Sequence, residues 1–132
     1  MIGDDLLQIN LMEGIDWRMV DADAAVKRID AGIVAVSVGS LLDANAVDLD
    51  PYAESWEETY RSDGHQTRRL ENRDVAGVES WVIEARRGET RSYMVGGGRS
   101  GYAWDITFDV PVNLAEADDY IDSMLASVAW KI

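Results

Sequence analysis

The stretch from Tyr102 to Val110 constrains the fold more than any other part of the chain. Tyr102, Trp104, Ile106, Phe108 and Val110 alternate with Ala103, Asp105, Thr107 and Asp109. Strand side chains project to opposite faces at a period of two, so this run specifies a strand with one buried apolar face and one wetter face carrying two carboxylates. Pro111, which has no N–H for a ladder, stops it. Three more strands are read before it, at about His65 to Arg73, Val78 to Arg86 and Glu89 to Val95. Gly-containing turns separate the four, which makes an antiparallel meander.

Upstream, Leu6 to Leu11 and Trp17 to Val20 read as short strands flanking a turn at Glu13-Gly14, as a hairpin or one bent strand. Ala22 to Ile29 is compatible with a helical turn, and Ile33 to Val38 is a β-branched strand. A looser segment, Leu41 to Leu49, leads to Asp50-Pro51, which opens a helix running to about Ser62. Tyr52, Trp56 and Tyr60 recur every four residues as an aromatic stripe, with Glu54, Glu57 and Glu58 on the wet side and Ser62-Asp63-Gly64 as the stop. Near the end, Asn113 and Glu116 have the spacing of a capping box. They precede a helical apolar face of Leu114, Ala117, Tyr120, Ile121, Met124 and Leu125. Val128 to Ile132 is an extended tail that can return to the sheet. The expectation is α+β: a twisted antiparallel sheet of about six strands covered by two or three helices, forming one domain over 1–132.

Composition agrees with one core. The chain has 132 residues, 47% of them apolar, with five Trp and five Tyr. It has no apolar run long enough for a membrane span and no signal-like start, so direct membrane insertion is not expected. Read as it stands it is a soluble cytoplasmic protein; read as a fragment following a removed signal or lipid anchor, it is a secreted or anchored one. The absence of Cys excludes disulfides, thiolate metal sites and cysteine nucleophiles. A formal net charge of −13 argues against nucleic acid or an anionic membrane as ligand and favours a basic partner. The plainer reading of the same charge is a heavily solvated surface.

No constellation points firmly to catalysis, and neither a cofactor nor a metal is expected. Gly96-Gly97-Gly98-Arg99-Ser100-Gly101 satisfies G-x-G-x-x-G, but a strand follows it where a nucleotide site needs a helix, so it reads as a glycine-rich hairpin loop. His65, the sole histidine, sits at a turn. No serine lies in a nucleophile elbow. Asp105 and Asp109 share a strand face, where carboxylates ordinarily serve solvation. Asp43 with Asn45, and Asp48 with Asp50, echo parts of a calcium loop without its glycine or terminal Glu. Arg68, Arg69, Arg73, Arg86, Arg87 and Arg91 concentrate half the bases on three adjacent strands, either as an anion-binding strip or paired with Glu71, Glu79, Glu84 and Glu89. The aromatic stripe packs a helix on its sheet, or also lines a groove for a peptide or apolar ligand. The partner-binding candidates are therefore Trp56, Tyr60, Tyr93, Gly97, Arg99 and Tyr102.

Several segments resemble the PsbP/Mog/DcrB-type fold. Ile9 to Trp17 is similar to that family's opening strand, Pro-Glu-Gly turn and Trp, with Met12 in place of the proline and two extra residues before Trp17. Pro51 to Arg61 resembles its helix, Asp74-Val75-Ala76-Gly77 the turn before its central strands, and Met124 to Trp130 its ending, where Val128 replaces Phe. The resemblance implies a twisted antiparallel sheet covered by helices and a binding role without a shared catalytic residue. Members include a photosystem accessory protein, a Ran-binding import factor, bacterial lipoproteins and chaperones of secreted effectors. Two functions follow as expectations: a non-catalytic accessory domain holding a protein or peptide partner along the sheet or between sheet and helix, or an acidic immunity protein or antitoxin neutralising a basic toxin.

Overall fold

The computed structural model describes residues 1–11, 16–29, 32–43 and 48–132. Along the chain run β1 (Ile2–Gly3), β2 (Leu7–Ile9), β3 (Arg18–Asp21), β4 (Ala24–Ile29), β5 (Gly32–Leu42), α1 (Leu49–Ser62), β6 (Gln66–Val75), β7 (Val78–Arg87), β8 (Thr90–Arg99), β9 (Tyr102–Pro111), α2 (Ala117–Leu125) and β10 (Ala129–Trp130). Seven strands form an antiparallel sheet in the order β3-β4-β5-β9-β8-β7-β6, and three short ones form a second sheet, β1-β2-β10. The α+β class and the antiparallel meander hold. Among the described residues the large sheet has seven strands where about six were expected, and two helices cover it.

β9 lies at the centre of the large sheet, bonded to β5 on one side and β8 on the other. Its alternation behaves as read: Trp104, Ile106, Phe108 and Val110 are buried. Trp104, Ile106 and Phe108 share a core with Ile121, Met124 and Leu125 of α2 and with Ile2, Leu7 and Ile9 of the small sheet. Burying each such side chain contributes roughly 2–3 kcal/mol. On the opposite face α1 sets the buried Ala53 against Trp81, Ile83 and Met94, with Leu49, Tyr52, Trp56 and Tyr60 packed around them. β7 thus has cover on both sides, so Ser80 to Ala85 forms an unbroken buried run instead of alternating.

Five local expectations are corrected. Ala22 to Ile29 is not a helical turn: Ala24–Ile29 is a strand registered against β5 from Ala24↔Ser37 to Ile29↔Gly32. A free partner edge outweighed a weak local preference. Leu6–Leu11 and Trp17–Val20 do not pair as a hairpin, because β2 pairs with β1 and β10 while β3 pairs with β4. The turn assigned to Glu13-Gly14, like Met12, lies outside the described residues. α1 begins at Leu49, capped by Asp48 without a side-chain bond. Asp50 instead pairs with Arg69 at 3.1 Å, and Pro51 stays within the first turn, where it removes no helical bond. The capping box at Asn113 does not form, since Glu116 is the cap of α2 and makes no side-chain cap bond. Tight turns from Pro111 to Leu114 and from Leu114 to Ala117 occupy that segment instead.

The last correction concerns the glycines. Gly96, Gly97 and Gly98 belong to β8, and the turn to β9 is Ser100-Gly101, with φ of 53° and 82°. Two successive positive φ values match the twist of a two-residue hairpin. Gly96 is paired with Trp81 across the ladder, and a β-carbon there would collide with the Trp81 ring and stand 2.6 Å from the Trp104 carbonyl oxygen. Glycine at this point lets a large ring lie flat on its neighbouring strand. Gly96→Ala is therefore expected to destabilise the fold by about 2 kcal/mol or more, read as a lower urea midpoint. An unchanged midpoint would mean that Trp81 can pack elsewhere.

Candidate functional site

α1 packs over β6, β7 and β8, so on that face β9 and β5 lie beside the helix. The outward residues of β9, Asp105, Thr107 and Asp109, become the floor of a groove. Tyr52, Trp56 and Tyr60 form its wall, because residues four apart on a helix share one face. The groove contains two hollows in line. The first, about 440 Å³, lies between Tyr52 and Trp56 on one side and Ser40 and Leu41 on the other, with Asp105 and Gly97 below. The second, about 400 Å³, is lined by Tyr60, His65, Ser92, Asp109 and Ile33. Between them stands Tyr60 of the aromatic wall. From Asp105 to Asp109 the floor runs four strand residues, about 13 Å.

The electrostatics follow from partial burial beneath the helix. The Asp105 carboxyl is pushed up to about 6, first by desolvation and then by the charge of Asp4. Asp4 is fixed: its Oδ1 accepts the Leu6 and Leu7 amides at 2.9 and 3.1 Å, and its Oδ2 accepts the Ser40 hydroxyl at 2.6 Å. Among the described residues no hydrogen bond or ion pair reaches the Asp105 carboxylate. Gly39 stands opposite it on β5, where a β-carbon would come within 3.1 Å of the carboxylate. Tyr60 is pushed up to about 12 by burial and by the charges of Asp109 and Asp105, while hydrogen bonds with Thr107 and Ser92 pull the other way. Ser92 Oγ donates to Asp109 Oδ1 at 2.5 Å.

Two residues of this lining carry a buried polar atom without a partner, Trp104 at Nε1 and His65 at Nδ1, but the Trp104 ring is turned to the α2 face, where it packs edge-on against Trp130, and only His65 offers its atom to the groove. Arg69 Nε is the third such atom among the described residues. An unsatisfied buried polar atom costs roughly 1–3 kcal/mol, so the His65 end of the groove is poised to gain from a ligand that supplies a partner. His65 Nδ1 is 3.9 Å from the exposed Asp63 carboxylate, and its ring stands edge-on to Tyr60 with centroids 5.0 Å apart.

Of the six residues singled out from sequence, the structure gathers Trp56, Tyr60 and Gly97 on this groove. The other three lie elsewhere. Tyr93 is on the α2 face, accepting Arg73 Nη1 at 3.1 Å. Arg99 holds the chain end, donating to the Ile132 carbonyl at 2.9 Å with its guanidinium 4.9 Å from the Trp130 ring centre. Tyr102 packs half-buried against the main core. Asp105, read as solvation, is largely desolvated instead, in a hollow that Tyr52 and Trp56 of the covering helix wall on one side. Trp104 was legible as core but not as an orphan donor. The calcium-loop echo at Asn45 lies outside the described residues, and no metal-holding group of three His, Asp or Glu occurs among the described residues. No helix there is long and apolar enough to cross a membrane.

No protein-family model matches the chain, and no curated protein sequence matches it. Solved structures do. A crystal structure from Bacteroides thetaiotaomicron VPI-5482 superimposes with a TM-score of 0.61 at 11% identity over 100% of this chain, which spans 48% of that protein's length. The solution structure of cyanobacterial PsbP (CyanoP) from Synechocystis sp. PCC 6803 does so with a TM-score of 0.56 at 12% identity, over 98% of this chain and 95% of that one. The fold is PsbP-like.

The Asp105 shift has a definite sign. Its folded value lies above the ordinary 3.8, so the native state keeps a proton that the unfolded chain has already released. This group's contribution to stability is therefore greatest below about pH 4 and falls as pH rises through about 6. Asp105→Asn should remove that decline and leave the protein more stable at pH 7, by on the order of 2 kcal/mol. Unfolding midpoints of both proteins measured from pH 4 to pH 7, at about unit intervals, test this; parallel curves would refute a raised Asp105.

Proposed function

We propose that the protein is a non-catalytic accessory domain that holds an extended, cationic segment of a protein partner in the groove beside α1. The observation that carries this reading is the juxtaposition in the first hollow of a desolvated carboxylate without a partner among the described residues, Asp105, and the aromatic wall of Tyr52 and Trp56. A peptide brings what each lacks: a guanidinium or ammonium for the carboxylate and an apolar stem for the rings. Asp109 and the His65 end offer a second contact about 13 Å away, roughly four residues of extended chain. A net charge of −13 draws such a segment in and repels acidic ones. The likeness to the binding members of the PsbP/Mog/DcrB-type family, including its Mog and DcrB branches, supports a binder over an enzyme, and we read 1–132 as one such domain.

Titration of Trp fluorescence with a peptide alternating Arg and Ala tests this, with a peptide alternating Glu and Ala as control. The Arg peptide is expected to bind and the Glu peptide not to. Asp105→Asn and Trp56→Ala should each weaken binding by about tenfold or more while the far-ultraviolet circular dichroism spectrum is unchanged. Part of the affinity should survive at about 1 M salt, since aromatic and main-chain contacts are screened little. The alternative, an acidic inhibitor of a basic toxin, draws on the same charge. Binding to a folded basic protein that disappears in high salt and ignores both substitutions would favour it.

A further inference from the structure

On the face opposite the groove, the arginine-rich strands meet α2 around one carboxylate. Glu84 on β7 is only 7% exposed. Its Oε1 accepts Arg86 Nε at 3.0 Å, and its Oε2 accepts Arg91 Nε at 3.1 Å and lies 3.6 Å from Arg68 Nη2. Arg86 and Arg91 are direct cross-strand partners, and Arg68 faces Glu84 from β6. Like charges set opposite each other repel, and one carboxylate cannot neutralise three guanidiniums. Arg91 has a second partner in Asp118 at 2.8 Å, and Arg73 is matched by Asp122 at 3.1 Å. Removing those two matched pairs leaves Glu84 shared by Arg68 and Arg86, a surplus of one positive charge on a chain of net charge −13.

The surplus is also where the open donors are. Arg91 is held in place: burial works against its charge, yet its hydrogen bond to Asp118 and the charges of Asp118 and Glu84 keep its pKa above the ordinary value. Arg86 uses only Nε, and Arg68 makes only the long contact, so the Nη groups of Arg86 and most donors of Arg68 have no protein partner among the described residues. Their side chains are 54% and 67% exposed and border a cleft of about 470 Å³ that runs to Tyr93 and α2. A second hollow of about 310 Å³, lined by Gln66 and Thr67, opens between the same two arginines. We propose that this cleft is a second binding site, which takes an oxyanion, a carboxylate or phosphate group, bridged by the guanidiniums of Arg68 and Arg86. A planar guanidinium matches either group with paired N–H donors, and Glu84 holds Arg86 by the nitrogen that leaves the fork outward.

Inorganic phosphate and, separately, acetate are titrated into isotope-labelled protein at constant ionic strength set with chloride, following the Arg side-chain Nε–H signals and the amides of β6 and β7. A saturable shift centred on Arg68, Arg86 and their strand neighbours is expected. Saturation by phosphate alone assigns a phosphate group; saturation by both assigns oxyanions generally. Arg68→Gln with Arg86→Gln, both on exposed side chains, should weaken binding by about tenfold or more. Glu84→Gln, which removes the internal competitor, should tighten it. Linear, unsaturated shifts with both ions, or full affinity in the double arginine variant, would overturn the site. Neither result depends on the groove beside α1.

Discussion

A seven-stranded sheet is about 29 Å wide at the ordinary strand spacing, whereas a helix with its side chains covers about 10 Å. Each face of the large sheet therefore needs more than one element to close it. On one face α2 and the small three-stranded sheet together bury the apolar side of β9 and its neighbours. On the other, α1 is the only helix among the described residues, and it sits over β6 to β8. The arrangement of polar groups on β9 follows from that shortfall. Its outward residues cannot be apolar without exposing a greasy strip, yet they lie close enough to the helix to lose much of their water.

That half-covered condition explains the properties of the groove. Asp105 is neither solvated like a surface carboxylate nor paired like a core one, and its proton is held more tightly for that reason. Trp104 belongs to the main core by its ring while its Nε1 finds no acceptor. The aromatic wall is shared in the same way: Tyr52, Trp56 and Tyr60 pack against the core beneath α1 and still line the hollows. A ligand that completes Asp105 and this wall gains that pairing energy without having to reorganise the sheet. Gly39 opposite Asp105, and Gly97 near Leu49 and the Trp104 indole, keep the main chain low where such a ligand would lie.

Much of this architecture was legible in the sequence, and the reasons differ by element. The β9 alternation, the aromatic stripe of α1 and the meander from β6 to β9 were readable because each carries its own period and its own turn residues. β4 was not, because Ala24 to Ile29 has little local preference and becomes a strand only by pairing with β5. The glycines of β8 read as a loop in the sequence because their purpose, room for Trp81 and for the Trp104 main chain, lies on neighbouring strands. The groove itself was half legible. Trp56, Tyr60 and Gly97 were selected as aromatics and small residues near the helix. Asp105 was discounted, since no pattern within β9 tells which carboxylate a helix from another part of the chain will shelter. Tyr93 and Arg99 were drawn in by residue type, and the topology sends them to the α2 face and the chain end.

The central claim is that the groove beside α1 is completed by a bound cationic segment, and the Trp56 indole on its wall reports on it directly. The measurement is the Trp56 Nε1–H signal in a nitrogen–proton correlation spectrum, assigned by its loss in Trp56→Phe, as an Arg-rich peptide is added. Occupation of the groove should shift this signal saturably and slow its exchange with water, in step with changes at Asp105 and His65. A peptide that binds while the Trp56, Asp105 and His65 signals stay where they were would contradict the claim and place recognition elsewhere on the molecule.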